Sequence, residues 1–217
     1  MKQFIKSKIR KYIPNSLLRL RNKFLFKQEY REWLASNGTW SPDLPAPHIV
    51  KQQTIAAYKD QHQCTTLVET GTYFGEMVEV QMKTFDNVIS IELSPQLARE
   101  AQQRFRNNRN VEIVIGDSAT SMPVVAQRLT GRTVFWLDGH YSDGVTAKGA
   151  SDCPVYEELD AIFKYNTLRH VILIDDARYF TGRGDYPTID ELTSYIGSKD
   201  LTYNVTVKDD IIRCTPA

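Results

Sequence analysis

Acidic side chains stand at the ends of three short apolar runs in the middle of this 217-residue sequence. Glu69, Glu92 and Asp117 occupy these positions, and Glu92 comes 23 residues after Glu69. An acid at the end of the second strand of an α/β unit can accept hydrogen bonds from both ribose hydroxyls of a nucleoside. Each acid alone has a plainer interpretation, since Asp117-Ser118 is also a good helix N-cap. Three acids at successive strand ends favour a nucleoside-binding site.

Two glycines lie four residues apart just after Glu69, in the segment Gly71-Thr72-Tyr73-Phe74-Gly75. Gly71 permits a tight turn and a close approach of the backbone to a ligand. Gly75 lets a helix begin close to the strand, with backbone N–H groups facing that ligand. A glycine pair alone also suits an ordinary strand-to-helix turn. The dinucleotide-binding fingerprint needs glycine where Tyr73 stands, and Tyr73 and Phe74 would crowd a pyrophosphate, so a nucleoside without a phosphate is favoured.

A second set of acids follows the next two apolar runs. Asp138 precedes His140 by two residues, and Asp175 is followed directly by Asp176. Adjacent parallel strands lie about 5 Å apart, so the three carboxylates should converge, and they repel one another unless they share a cation or a proton. Oxygen ligands of this kind suit Mg²⁺.

The second set also has a metal-free interpretation, in which one carboxyl is protonated or paired with Arg178 or Lys148, and Asp176 caps a short turn. His140 suits a general base, because histidine titrates near neutrality, although an ordinary loop histidine fits the sequence nearly as well.

Alternating apolar runs and amphipathic segments position these residues. They predict a parallel sheet covered by helices and ending in a hairpin. Strands are predicted at 66–69, 88–92, 111–115, 133–137 and 170–174, with hairpin strands at 201–207 and 211–214. Helices are predicted near 49–58, 75–84, 95–107, 119–129, 155–165 and 188–197. Two polar loops, 141–154 and 178–187, are predicted to flank an acceptor-binding rim.

Residues 65–214 resemble class I S-adenosylmethionine-dependent methyltransferases, and the second set of acids resembles that of bacterial macrocin-type sugar O-methyltransferases. The resemblance implies a Rossmann-like α/β fold: a mostly parallel seven-stranded sheet with a terminal antiparallel hairpin and helices on both faces. It also implies S-adenosylmethionine as the methyl donor, with Mg²⁺ at the second set of acids.

The resemblance assigns roles to individual residues. Glu69 would serve the methionine end of the donor, Glu92 its ribose and Asp117 its adenine amino group. The full set implied to bind the donor is Glu69, Gly71, Thr72, Tyr73, Gly75, Glu92, Asp117, Ser118 and Asp138.

At the second set, Asp138, Asp175 and Asp176 would hold the metal that orients two sugar hydroxyls, and Asp138 or His140 would take the acceptor proton. Residues 138–142 and 146–149 are unlike that family, so a different acceptor class stays open.

Charge divides the chain into a basic extension, 1–45, and a methyltransferase domain, 46–217. Residues 1–31 hold ten Lys and Arg against Glu29 alone, which leaves 17 basic and 25 acidic residues in 32–217, a net of −8. An acidic body disfavours nucleic acid as a partner. Apolar residues at helical spacing among the cations suit an anionic membrane surface, or packing on the domain or a second subunit. Residues 33–47, including Trp33 and Trp40, are interpreted as an irregular connection.

The expected function is therefore O-methylation of a small polar acceptor such as a carbohydrate. The three dispersed cysteines predict neither disulfides nor a zinc site, and a cytoplasmic location, peripheral at the inner membrane surface, is expected. Two alternatives stay open: a catalytically silent cofactor-binding or interaction protein, and a metal-dependent hydrolase using Asp138, His140, Asp175 and Asp176.

Overall fold

The computed structural model describes residues 15–36, 45–138 and 153–217. Their strands form one seven-stranded sheet in the order β3-β2-β1-β4-β5-β7-β6. The strands are β1 Thr66–Thr70, β2 Asn87–Glu92, β3 Val111–Ile115, β4 Thr133–Leu137, β5 Val171–Ile174, β6 Tyr203–Lys208 and β7 Ile211–Pro216. The first five are parallel to one another, and β7 runs antiparallel to both β5 and β6.

Helices cover both faces of the sheet. They are α1 Asn15–Ala35, α2 His48–His62, α3 Glu76–Gln81, α4 Pro95–Phe105, α5 Ser118–Gln127, α6 Val155–Lys164 and α7 Ile189–Lys199, with a 3₁₀ turn at Ala177–Tyr179. Ile55, Val78 and Phe105 represent the layer of α2, α3 and α4 on one face. Met122 and Leu159 belong to the opposite layer, formed by α5, α6 and α7.

The central strands are apolar on both sides because both faces are covered. Every residue of β4 and β5 is buried. Phe135 and Leu137 face the layer of α5 to α7, whereas Val134 and Trp136 face the layer of α2 to α4. The near-continuous apolar runs in the sequence follow from this, since a strand buried on both faces loses the apolar and polar alternation of a half-exposed one.

Capping side chains stabilise the first turns of several helices. Ser94 caps α4 by accepting from the Leu97 N–H, and Pro95 supplies a preset φ at the first helical position. Thr188 and Glu191 form a reciprocal capping box at the start of α7. These side chains satisfy N–H groups that have no partner within the helix, so the chain turns sharply at each strand end.

The predicted fold class is confirmed, and most predicted boundaries lie within two residues of the observed ones. Strands β3 and β4 begin and end where they were predicted. The interpretation of Trp33 as part of an irregular connection is wrong, because α1 continues to Ala35. The helix predicted near 75–84 is shorter, since α3 ends at Gln81 and turns follow.

Helix α1 lies against the domain. Leu18 is buried in a small cluster with Phe74 and Leu97. Lys23 forms an ion pair with Glu79 at 3.0 Å. The side chains of Leu20 and Phe24 are exposed. Part of this extension therefore packs on the domain, while its division from 46–217 stays a prediction. Among the described residues, no helix is long and apolar enough to cross a bilayer.

Candidate active site

The carboxyl ends of β1 and β2 bring the first acid into a buried hydrogen-bond chain. Glu69 pairs in register with Ser90, whose hydroxyl donates to Glu69 Oε2 at 2.6 Å. The Ser90 hydroxyl also shares a hydrogen bond of 2.6 Å with the Thr72 hydroxyl. Burial raises the pKa of Glu69 to about 8, although the Ser90 hydrogen bond opposes the shift. Glu69 therefore binds its proton near neutrality and is poised to interact with a cationic or hydrogen-bonding ligand.

Glu92 holds the glycine-containing loop in place. Its Oε2 accepts from the Tyr73 N–H at 2.8 Å, and its Oε1 accepts from the Ser94 N–H at 2.8 Å. Burial raises the pKa of Glu92 against the effect of these backbone donors. The two carboxylate oxygens have about four lone-pair sites between them, so the carboxylate can still accept from a ligand hydroxyl. The arrangement fits a ribose diol.

The loop leaves few N–H groups for a phosphate. The Gly71 N–H donates to the Ile91 carbonyl, the Tyr73 N–H to Glu92, and the Gly75 N–H to the Thr72 carbonyl. A pyrophosphate site needs several free backbone N–H groups directed at the anion. With these three donors already paired, and Glu69 and Glu92 close by, the loop is unsuited to a dinucleotide.

Backbone conformation and close packing explain the two glycines. Gly71 has φ +86° and Gly75 has φ +74°. A Cβ on Gly75 would lie 2.7 Å from the Phe105 ring. The N–H of Gly75 itself donates to the Thr72 carbonyl, and the expectation that Gly75 leaves backbone N–H groups facing a ligand stays a prediction. The role of Gly75 is to let α3 begin in close contact with α4.

At the end of β3, Asp117 caps α5 by accepting from the Ala119 N–H at 2.9 Å. This contact uses Oδ1, so Asp117 combines the capping role with an oxygen that remains for a ligand amino group. Behind it lies Glu158 of α6, which sequence reasoning missed. Both Glu158 oxygens are buried without a well-aligned hydrogen-bond partner among the described residues. Burial raises the pKa of Glu158 to about 7, and the hydroxyls of Ser118 and Thr70 oppose the shift.

The second set of acids converges as predicted. Strands β4 and β5 pair in register through Leu137 and Ile174, so Asp138 and Asp175 follow at neighbouring strand ends. The Asp175 N–H donates to the Leu137 carbonyl at 3.0 Å. The Asp138 N–H donates to the Thr70 hydroxyl, which joins the second set of acids to the end of β1, beside Glu69. Burial and the Asp175 charge raise the pKa of Asp138 well above its ordinary value, and Lys51 opposes the shift.

A lysine stands among these acids, and sequence reasoning missed it. Lys51, in the first turn of α2, forms an ion pair with Asp175 and lies 3.5 Å from Asp176 Oδ1. Its side chain is only 13% exposed, and Asp175 is fully buried. Burial opposes the charged ammonium, but Asp175, Asp138 and Asp176 outweigh it and raise the pKa of Lys51.

Arg178 holds the outer side of the rim. It donates to Asp176 Oδ1 at 2.9 Å and forms an ion pair with Asp210. Phe180 is buried against the layer of α5 to α7 and packs the 178–187 loop onto the domain. The ring of Tyr179 is half exposed and lies under the Arg178 guanidinium, 4.4 Å away.

The magnesium prediction does not fit the side chains that the structure describes. Among them, no three His, Cys, Asp or Glu residues are arranged to hold a metal ion. Asp138, Asp175 and Asp176 are close together, but Lys51 and Arg178 already pair with the last two. His140 and residues 139–152, which include Lys148 and most of the predicted 141–154 loop, lie outside the described residues.

Solved structures of similar fold are methyltransferases. The O-methyltransferase of Bacillus cereus in complex with S-adenosylhomocysteine has a TM-score of 0.56 and 12% identity, over 88% of this chain and 90% of that chain. A methyltransferase of Podospora anserina with S-adenosylhomocysteine bound has a TM-score of 0.54 and 12% identity, over 100% and 95%. The tomaymycin-synthesis O-methyltransferase of Streptomyces achromogenes, in complex with S-adenosylmethionine, has a TM-score of 0.53 and 15% identity, over 90% of each chain.

Comparison of the sequence with family models and with curated proteins gives no match. At identities this low, the structural likeness shows the fold: the chain has the Rossmann-like architecture of class I methyltransferases.

Proposed function

We propose that the chain is an S-adenosylmethionine-dependent O-methyltransferase acting on a small polar acceptor, with a sugar hydroxyl as the leading candidate. The observation that carries the proposal is the set of acids around a loop in which the N–H groups of Gly71, Tyr73 and Gly75 are already paired. Glu69, Glu92 and Asp117 lie at the carboxyl ends of β1, β2 and β3, where ligands of open α/β sheets bind. This arrangement suits a nucleoside that carries positive charge and no phosphate.

In this proposal each acid recognises one part of the donor. Glu92 uses its remaining lone pairs for the ribose hydroxyls while it fixes the loop through Tyr73 and Ser94. Glu69 and its partner Ser90 serve the methionine end, and Asp117 serves the adenine amino group. The bound donor supplies an electrophilic methyl group, and alignment of the acceptor oxygen is the enzyme's main contribution.

Asp138 is the proposed proton acceptor. It lies where the donor half meets the rim, joined to β1 through Thr70. Its raised pKa makes its carboxylate a stronger base than an exposed aspartate. His140 is the alternative base. The charged side chains at the ends of β4 and β5, Lys51 and Arg178 among them, suit an acceptor rich in hydroxyls. The metal-dependent hydrolase alternative is disfavoured because Lys51 stands among the acids that it would need.

Calorimetric titration with S-adenosylhomocysteine and with NAD⁺ tests the donor assignment. We expect one site for S-adenosylhomocysteine and no binding of NAD⁺ at millimolar concentration. Glu92→Gln should weaken S-adenosylhomocysteine binding about 100-fold, because hydrogen bonds to a charged acceptor contribute about 1.5–3 kcal/mol each. Glu112→Gln, an exposed glutamate on β3, is the matched control and should bind as the natural chain does. Tighter binding of NAD⁺, or an unaffected Glu92→Gln variant, would contradict the proposal.

The remaining expectations concern where the chain acts. We propose that the exposed apolar side chains of α1, among them Leu17, Leu20 and Phe24, mediate peripheral contact with a membrane or a second subunit. A cytoplasmic location at the inner membrane surface belongs to the same proposal. Sedimentation with and without anionic vesicles separates the two partners.

A further inference from the structure

We propose that the ammonium group of Lys51 takes the place of a divalent cation between Asp138, Asp175 and Asp176, so that the acceptor rim works without a metal. Lys51 is then a positioning residue, because it fixes the carboxylates that face the acceptor. The assignment of the rim as an acceptor site rests on the proposed function. The position of the Lys51 ammonium among the three carboxylates is independent of that function.

The fold places Lys51 at the rim through helix periodicity. Lys51, Thr54 and Ile55 lie on one face of α2, at spacings of three and four residues. Thr54 and Ile55 are buried. That face packs toward β4 and β5, so the first turn of α2 delivers Lys51 to the carboxyl ends of these strands. A lysine on the buried face of a helix needs a charged or polar partner, and Asp175 is that partner.

The contacts of the ammonium are those a bound cation would make. Lys51 Nζ hydrogen-bonds to Asp175 Oδ2 and lies 3.5 Å from Asp176 Oδ1. A magnesium ion would have to bind these same oxygens at about 2.1 Å, which puts it close to the ammonium. Two cations at such a short distance in a buried site repel strongly. A metal can therefore bind here only if Lys51 leaves.

The other cation of the rim does not compete for this position. Arg178 approaches Asp176 from the side of Asp210, to which it is also bound through its backbone N–H at 2.8 Å. Arg178 thus anchors the outer edge of the rim, whereas Lys51 stands on its inner side and contacts Asp175 as well. Removal of Lys51 would leave Asp175 without its ion-pair partner and would remove the positive charge that opposes protonation of Asp138.

The test is titration of the full chain with Mn²⁺ alone, followed by electron paramagnetic resonance, for the natural sequence and four variants. K51M removes the charge but keeps much of the length, and K51R keeps the charge. K59M removes another lysine of α2, which pairs with exposed Asp60, and serves as the control. K51Q is a second uncharged variant in case methionine prevents folding.

We expect no saturable Mn²⁺ site in the natural chain, K51R or K59M. K51M should gain one site per chain, at least about tenfold tighter than any binding to the natural chain, because three carboxylates lose the charge that opposed a metal. One Mn²⁺ bound tightly by the natural chain would overturn the inference. So would a K51M variant that binds no better than the natural chain.

The same preparations are titrated with S-adenosylhomocysteine. If the proposed function fails, this ligand does not bind, whatever the Mn²⁺ result. If the Lys51 inference fails, the Mn²⁺ result changes while the binding of S-adenosylhomocysteine to the natural chain is unaffected.

Discussion

Buried acids occur in both halves of the site, but the two halves neutralise them differently. In the donor half, Glu69, Glu92 and Glu158 are buried with no ion-pair partner among the described residues, and burial raises the pKa of each. At the rim, Asp175 and Asp176 are paired with side-chain cations. The donor half is thus prepared for a ligand that brings hydrogen-bond donors and positive charge. The rim already holds its own cations.

This difference agrees with the two proposals: a donor with a sulfonium and an amino group in one half, and a rim without a metal in the other. A pyrophosphate would add negative charge next to the Glu92 carboxyl, at a loop where the N–H groups of Gly71, Tyr73 and Gly75 are already paired. A metal would add positive charge next to Lys51. The rim therefore opposes a further cation, and the loop offers a phosphate few free N–H donors. Four substitutions test this division, in decreasing order of expected effect.

Asp138→Asn tests the boundary between the halves. We expect methyl transfer, measured as release of S-adenosylhomocysteine with a panel of hydroxylated acceptors, to fall about 10²–10⁴-fold, the usual contribution of a general base. Binding of S-adenosylhomocysteine should stay nearly unchanged, because Asp138 acts on the acceptor side. Collapse of donor binding instead would assign Asp138 to the donor half. Asp160→Asn on the exposed face of α6 is the control.

Asp175→Asn tests whether the rim depends on its ion pair. Lys51 would lose its main partner while remaining buried, which costs about 3–5 kcal/mol for a buried pair. We expect a loss of this size in the free energy of unfolding, measured with urea. The pair between Lys199 and Asp160 at the surface is the comparison, since Asp160→Asn should change stability very little. Equal losses of unfolding free energy in the two variants would show that the Lys51–Asp175 pair stabilises the fold no more than a surface ion pair does.

Glu158→Gln tests the uncompensated acids of the donor half. The pKa of Glu158 is raised to about 7 in the folded chain, so the folded state binds this proton more tightly than the unfolded state. Its contribution to stability is therefore largest below pH 4.5 and declines as the pH rises to about 7.

The glutamine variant lacks this decline. Relative to the natural chain, it should gain about 2 kcal/mol between pH 5 and pH 8 in urea unfolding. Glu69 titrates in both proteins and cancels from the difference. A difference that does not change with pH would show that Glu158 has a partner at the donor site.

Leu18→Ala tests whether α1 supports the donor half. Leu18 packs on Phe74 and Leu97 beside the donor loop, whereas Leu20 on the same helix is exposed. We expect Leu18→Ala to weaken S-adenosylhomocysteine binding by up to about tenfold, since the packing at stake is on the order of 1–2 kcal/mol. Leu20→Ala should have no effect. Equal affinities of the two variants for S-adenosylhomocysteine would show that packing of α1 does not support donor binding.

The donor half was the more predictable from sequence because its signals are local. Glu69 and Gly71 lie two residues apart, and Glu92 follows on the next strand, so spacing alone places them together. The paired strands β4 and β5 also made the approach of Asp138 to Asp175 predictable. What spacing did not show is that the N–H groups of Gly71 and Tyr73 pair with β2 and that of Gly75 with Thr72, since this pairing depends on the positive φ of Gly71, Tyr73 and Gly75.

Lys51 was missed for a physical reason. It is separated from Asp175 by 124 residues and lies in an amphipathic helix, where a lysine usually reaches solvent. Only the orientation of α2 on the sheet shows that its first turn points into the acids. Glu158 was missed similarly, since in the sequence it is one of two adjacent glutamates in the first turn of α6, where acids commonly favour the helix dipole.

The most direct test of the account is calorimetric titration of the natural chain with S-adenosylhomocysteine, first with a metal chelator and then with excess Mg²⁺. The account predicts binding at one site with the same dissociation constant in both conditions, because the donor acids and Lys51 together leave no role for the ion. Absence of binding would contradict the donor assignment. Binding only when Mg²⁺ is present would contradict the division of charge between the two halves.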